Sequence, residues 1–128
     1  MKKIEINQLD EKENEIADAL ILLCMSRPVA RTLAYLNNGN EVTSNELETD
    51  TGLLQPEVSI AMRLLRNNNW INEREEKKKG KGRPYKIYSL KTGFNDVIAQ
   101  LEKQQKETFE EAQAKIDLLK ELVQDQRS

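Results

Sequence analysis

A basic segment that contains two glycines lies between two strand-like runs of this 128-residue chain. Residues 77–86, KKKGKGRPYK, carry five lysines and one arginine. Residues 70–74 before them and residues 85–90 after them mix apolar or aromatic with polar side chains, which is typical of short strands. The pattern predicts a β-hairpin with a positively charged tip, and such a tip is suited to contact a polyanion.

Four helices are predicted before the hairpin, from capping signals, prolines suited to a first helical turn and apolar spacing. In the last of them, Val58, Met62 and Leu65 recur at helical spacing and predict the buried face. The third and fourth helices, joined by a short turn that contains Gly52, form a helix-turn-helix. The predicted bounds of the four helices are 11–25, 28–36, 43–48 and 56–68.

A fifth helix is predicted from residue 92 to about residue 125, a stretch without proline that would span about 45–50 Å. An apolar stripe runs along it, with a break at Gln105 that resembles a coiled-coil stutter. Because a domain this small cannot cover the whole stripe, we expect a second copy of the chain to pack on it in a twofold dimer. The predicted dimerisation residues are Phe94, Ile98, Leu101, Phe109, Ala112, Ile116, Leu119 and Val123.

Charge is unevenly distributed in a chain whose formal net charge is −2. Residues 55–86 hold nine basic and four acidic side chains, a net charge of +5, which leaves −7 on the rest. This asymmetry indicates one face that meets nucleic acid and others that avoid it.

The chain has no histidine and one cysteine, Cys24, which argues against a zinc site and an intrachain disulfide. We expect Cys24, in the apolar run 19–25, to be buried, and we expect no cofactor or metal. No nucleophile–base pair or phosphate-binding glycine motif is present, so an enzyme is not expected. The absence of an apolar run of about 18 residues and of a signal peptide predicts a cytoplasmic protein without a membrane span.

Three stretches resemble the winged helix-turn-helix transcriptional regulators of the MarR, ArsR and TrmB type, over roughly residues 11–125. They are the run 58–65 that leads into Asn69, Trp70 and Ile71, the hairpin segment 80–90, and the long last helix. The resemblance implies a mainly α fold with a small β-hairpin and a long C-terminal dimerisation helix. It divides the chain into a DNA-binding domain, 1–91, and a dimerisation helix, 92–128. The chain lacks the cysteine and histidine cluster of metal-sensing ArsR proteins and the separate ligand domain of full-length TrmB-type regulators.

A helix-turn-helix places its second helix in the major groove, so residues 56–68 are the predicted recognition helix. Arg63 is suited to guanine, Gln55 to adenine, and Ile60 to the methyl group of thymine. The hairpin, or wing, of residues 77–86 would lie on the phosphate backbone, with Arg83 in the minor groove. The predicted DNA contacts are Thr43, Ser44, Asn45, Gln55, Ser59, Ile60, Arg63, Arg66, Lys77, Lys78, Lys79, Lys81, Arg83 and Lys86.

The predicted function is a dimeric, sequence-specific regulator of transcription, a repressor that reads a palindromic site in double-stranded DNA. Two alternatives stay open for its basic residues: Arg63 and Arg66 as ordinary exposed helix residues, and the lysine run as a solvated loop. The competing function is a winged-helix module that contacts another protein instead of DNA. A small-molecule effector is compatible with the resemblance, but no residue of the sequence indicates one.

Overall fold

The computed structural model describes residues 9–39, 41–77 and 84–127 of the chain. It divides into two compact units, one ending at Gly93 and one beginning at Phe94. In chain order the elements are α1 (Glu11–Leu22), α2 (Arg27–Leu36), β1 (Val42–Thr43), α3 (Ser44–Thr51), α4 (Gln55–Asn67), β2 (Ile71–Glu76), β3 (Tyr85–Leu90) and α5 (Phe94–Arg127). The predicted mainly helical fold with a small antiparallel sheet is confirmed.

Helix α1 begins as predicted but ends earlier. Asp10 caps it through a reciprocal capping box with Glu13, with Glu13 N to Asp10 Oδ1 at 2.7 Å. The predicted end at residue 25 was wrong, because Leu23 caps the helix and Cys24 takes a left-handed φ of 72°. This change of direction carries Cys24 out of the helix, and its side chain is exposed instead of buried as expected.

Helices α3 and α4 form the predicted helix-turn-helix. Thr43 and Glu46 make a second capping box at the start of α3. Gly52 ends α3 in the left-handed conformation (φ 75°), which glycine adopts without steric cost. Leu53 is buried in the turn, and α4 begins at Gln55, one residue before the predicted start. Helix α3 runs to Thr51 and ends at the predicted turn that contains Gly52.

The sheet has three antiparallel strands in the order β1-β3-β2, so β3 is central. Ile71 lies opposite Leu90 and Glu76 opposite Tyr85, so β2 and β3 form the predicted hairpin. Strand β1, where Val42 pairs with Tyr88, was not predicted, because two residues carry no detectable alternation. It joins the start of α3 to the sheet.

The core of the first unit is formed by the inner faces of α2, α3 and α4. Leu33, Leu36, Leu47 and Leu65 are completely buried there, and Val58 and Met62 are nearly so. The predicted buried face of α4 is therefore confirmed. Burial of this face fixes which residues of α4 remain on the surface, because side chains one turn apart share a face.

Helix α5, the second unit, runs for 34 residues, close to its predicted bounds. Phe94 and Leu101 are partly buried and Val97, which was not predicted, is fully buried, whereas Ile98 is exposed. Beyond Leu101 every described side chain of the helix is exposed in the single chain. Among the described residues, no helix is long and apolar enough to cross a membrane. The predicted dimerisation residues that are exposed are Ile98, Phe109, Ala112, Ile116, Leu119 and Val123. Leu118 and Leu122, which were not predicted, are exposed as well.

Candidate nucleic-acid interface

An open cleft of about 760 Å³ lies where the start of α3, the start of α4 and the base of the wing meet. Since β1 pairs with β3 and leads directly into α3, the sheet holds the start of α3 beside Lys86. Gln55 reaches the same cleft as the first residue of α4. The cleft is lined by Thr43, Ser44, Asn45, Glu48, Gln55, Pro84, Tyr85 and Lys86, so it brings together five of the predicted contact residues.

The outer face of α4 presents the predicted base-reading residues. Ser59 and Arg63 are exposed, and Ile60 keeps 48% of its surface accessible. Gln55 Nε2 donates a hydrogen bond to Ser59 Oγ at 3.3 Å, one turn along the helix. Within the part of the chain that the structure describes, Arg63 forms no hydrogen bond or ion pair, so its guanidinium is available for an external acceptor.

A carboxylate on β2 pairs with two of the predicted DNA-contacting cations. Glu73 Oε1 lies 2.7 Å from Arg66 Nη1, and Glu73 Oε2 lies 3.1 Å from Lys86 Nζ. Burial acts to raise the pKa of Glu73, but hydrogen bonds from Lys86 and Arg66 outweigh it and hold that pKa below its ordinary value. The hydrogen bond to Glu73 likewise raises the pKa of Lys86. Arg66 and Lys86 therefore share one carboxylate in the free protein, which offsets one of their two positive charges.

A second set of ion pairs lies along the outer strand β2. Arg74 Nη2 is 2.7 Å from Glu41 Oε1, and Arg74 Nη1 is 3.4 Å from Glu76 Oε1. The hydrogen bond from Arg74 lowers the pKa of Glu41. The pairing of Glu41 with Arg74 joins the start of β1 to β2 across β3, and sequence reasoning missed it because the two residues lie 33 positions apart.

The remaining predicted contacts divide into a capping residue, an exposed lysine and residues outside the described part. Thr43 Oγ1 accepts a hydrogen bond from the N–H of Glu46 at 3.1 Å and caps α3. A contact of Thr43 with phosphate, as predicted, would be additional to this capping role. Lys77 is exposed at the end of β2. The other predicted contacts of the wing, Lys78, Lys79, Lys81 and Arg83, lie outside the described residues.

Sequence reasoning also missed how α4 begins. Glu57 Oε1 accepts the backbone N–H of Leu54 at 2.9 Å. This bond satisfies a donor at the helix start and keeps the Glu57 carboxylate against its own backbone. The signal was present, since glutamate three residues after an N-cap position is a known capping pattern, but leucine is not a usual N-cap residue.

The arrangement combines an exposed helix face, polar groups at a helix start and cations around one cleft. Such groups can donate hydrogen bonds to phosphate oxygens and to base edges. Among the described residues, no group of three or more cysteine, aspartate or glutamate side chains is placed to hold a metal ion.

Comparisons with known proteins bear on the fold. No protein-family model matches the chain, and no curated protein matches it. Among solved structures, S. aureus MepR in its DNA-binding conformation is similar, with a TM-score of 0.50 and 20% identity over 88% of this chain and 89% of that one. The circadian clock associated protein Pex from anabaena aligns with a TM-score of 0.40 and 18% identity, over 81% of this chain and 84% of that one. The likeness to MepR confirms the predicted winged helix-turn-helix fold.

Proposed function

We propose that this chain is a dimeric regulator of transcription that binds a palindromic site in double-stranded DNA and represses by occluding it. The observation that carries the proposal is the position of the exposed face of α4 beside a cleft lined by Lys86 and the start of α3. The fold that it shares with MepR, whose structure was determined in a DNA-binding conformation, supports it.

We assign recognition of the DNA bases to α4. In the proposed complex, Arg63 donates two parallel hydrogen bonds to guanine, because its guanidinium has no competing partner among the described residues. Gln55 and Ser59, already hydrogen-bonded to each other, form a polar pair that can face adenine, and Ile60 contacts a thymine methyl group.

Backbone anchoring is assigned to the surroundings of α4. Ser44 and Asn45 lie in the first turn of α3, where backbone N–H groups and the helix dipole favour a phosphate. Lys77 and Lys86, together with the wing residues Lys78, Lys79, Lys81 and Arg83, are proposed to supply salt-dependent contacts. Arg66 would join them once it leaves Glu73.

Dimerisation is assigned to α5. Its exposed apolar residues include Phe109, which is 68% accessible, and Leu119, which is 60% accessible. Burying such side chains is worth about 1.5–3 kcal/mol each, which favours covering them with a second copy. A twofold pair of chains would place two α4 helices on half-sites about one helical turn apart. We assign no cofactor and no catalytic activity, propose that the protein acts in the cytoplasm, and assign no effector.

The second candidate function is a module that contacts a protein instead of DNA. The pairing of Arg66 and Lys86 with Glu73, and of Arg74 with Glu41, favours it, because these pairs lower the positive charge of the surface. The two functions differ in how they depend on salt, since contacts with several phosphates release counterions.

The test is fluorescence anisotropy of the full chain with labelled duplexes, over a series of salt concentrations. DNA binding predicts a steep loss of affinity as salt rises. It also predicts that Arg63→Ala relaxes discrimination at one base pair by about 1–3 kcal/mol, whereas Lys103→Ala on α5 leaves it unchanged. If no duplex bound even at low salt, the proposal would fail and the protein-contacting module would take its place.

A further inference from the structure

A second cleft, of about 450 Å³, also borders the start of α4. The start of α2, the end of α3 and the turn into α4 form its walls. None of the predicted DNA contacts except Gln55 borders it. It is lined by Arg27, Arg31, Glu48, Thr49, Thr51, Gly52, Leu53, Leu54 and Gln55.

Two arginines one helical turn apart give this cleft a surplus of positive charge. Arg27 and Arg31 face a single lining carboxylate, that of Glu48. Arg31 is held in place, because its Nε donates to Thr51 O at 2.9 Å and its Nη1 to Asn14 Oδ1 at 3.4 Å. Burial and, after it, the charge of Arg27 lower the pKa of Arg31, whereas the charge of Asp18 acts to raise it.

Arg27 is the exposed member of the pair. Within the described ranges it takes part in no hydrogen bond and no ion pair. It is also the first residue of α2, whose first turn contains no acidic side chain. A cation at a helix N-terminus opposes the helix dipole, so this position is unfavourable for the folding of α2. Local violations of this kind are expected where a residue serves binding rather than stability.

The two clefts share part of their lining. Glu48 and Gln55 border both the arginine cleft and the larger cleft that contains Lys86. The start of α4 therefore borders both the cleft that contains Lys86 and the cleft that contains Arg27 and Arg31. A duplex whose major groove receives α4 has a phosphate backbone on each side of that groove.

We propose that Arg27, with Arg31 fixed beside it, binds a backbone phosphate of the same duplex at this second cleft beside the start of α4. The proposal rests on the proposed DNA-binding function and adds one phosphate contact in each protomer. Glu48 faces both clefts and reduces the positive charge of the site without cancelling it. The contact carries no base information, so it should strengthen binding to all sequences alike.

The experiment measures the binding constant of the full chain for one duplex between about 50 and 200 mM salt. The wild type is measured first, because absence of binding would refute the proposed function itself. If it binds as the proposed dimer, Arg27→Gln should reduce the slope of log K against log salt by about 1.8, which is about 0.9 for each protomer, and the affinity by about thirtyfold near 0.15 M salt. Arg27→Lys should keep the slope, and Lys103→Gln on α5 serves as a charge-matched control.

Two further readouts make the outcome decisive. Arg27→Gln should unfold at the same temperature as the wild type or higher, since it removes a cation from a helix start. An unchanged salt slope in Arg27→Gln, in a chain that binds DNA, would overturn the inference while leaving the proposed function intact. Stabilisation of the wild type but not of Arg27→Gln by inorganic phosphate, with no change in the DNA slope, would assign the cleft to a free anion and also overturn it.

Discussion

Glu73 gives the sharpest prediction, because one carboxylate holds two cations that DNA would need. Glu73→Gln keeps the size of the side chain and removes its charge. Arg66 and Lys86 are 45% and 46% exposed, and Glu73 is 24% exposed, so these are surface ion pairs. Pairs of this kind contribute about 0–1 kcal/mol each, so we expect the variant to lose about 1 kcal/mol of unfolding free energy. For a chain of this size the melting temperature should fall by about 3–5 °C.

The pH dependence of this loss follows from the pKa of Glu73. Because folding lowers that pKa from its ordinary 4.5, the pairing stabilises the fold above that pH and is lost as the pH falls through the folded-state value. Wild type and Glu73→Gln should therefore differ in thermal stability at neutral pH and converge in acid. Glu75→Gln, an exposed glutamate of the same strand, is the matched control.

The same variant should bind DNA more tightly. Arg66 and Lys86 become available for phosphates, so the salt slope of the proposed dimer should steepen by up to about 3.6, which corresponds to two further contacts in each protomer. Glu75→Gln removes the same charge without releasing a cation and should change the slope little. If Glu73→Gln weakened binding or flattened the slope, Glu73 would be positioning the cations for DNA rather than withholding them, and the reasoning would be refuted.

Three further predictions concern stability and assembly. Thr32→Val should leave the unfolding free energy unchanged or raise it by about 1 kcal/mol in chemical denaturation, because Thr32 Oγ1 is buried without a hydrogen-bond partner among the described residues. Thr51→Val should lower it by about 1–3 kcal/mol in the same assay, because Thr51 Oγ1 donates to Leu47 O and accepts from Leu53 N. Gly52→Ala should cost about 1 kcal/mol in the same assay, because alanine is strained at a φ of 75°. Ile116→Lys should convert the proposed dimer to a monomer in sedimentation equilibrium while Glu107→Lys does not, and equal masses for both variants would argue against α5 as the interface.

The helices and the hairpin could be predicted because their signals are local. The capping boxes at Asp10 and Thr43 each depend on a glutamate three residues away, and both are formed. The spacing of Val58 and Met62 likewise identified the face of α4 that is buried. Interactions within one turn of a helix can be read directly from residue order.

The parts that were missed depend on distant residues or on a single backbone angle. Cys24 continues an apolar run, but its left-handed φ of 72° ends the helix there and leaves it exposed. The partners of Glu73 lie seven and thirteen residues away on other elements, so no sequence pattern could pair them. Arg27 was overlooked because the basic wing dominates the charge pattern, whereas the cleft beside Arg27 exists only after α2 packs on the helix-turn-helix.

Selection of bound sequences from random duplex DNA by the full chain shows whether it reads a palindromic site. A twofold dimer with α4 in the major groove predicts enrichment of an inverted repeat, with half-sites centred about 10 base pairs apart. Arg63→Ala should relax one position in each half-site and leave the spacing unchanged. Recovery of no enriched sequence, or of duplexes with no inverted symmetry, would contradict the account of this chain as a dimeric reader of palindromic DNA.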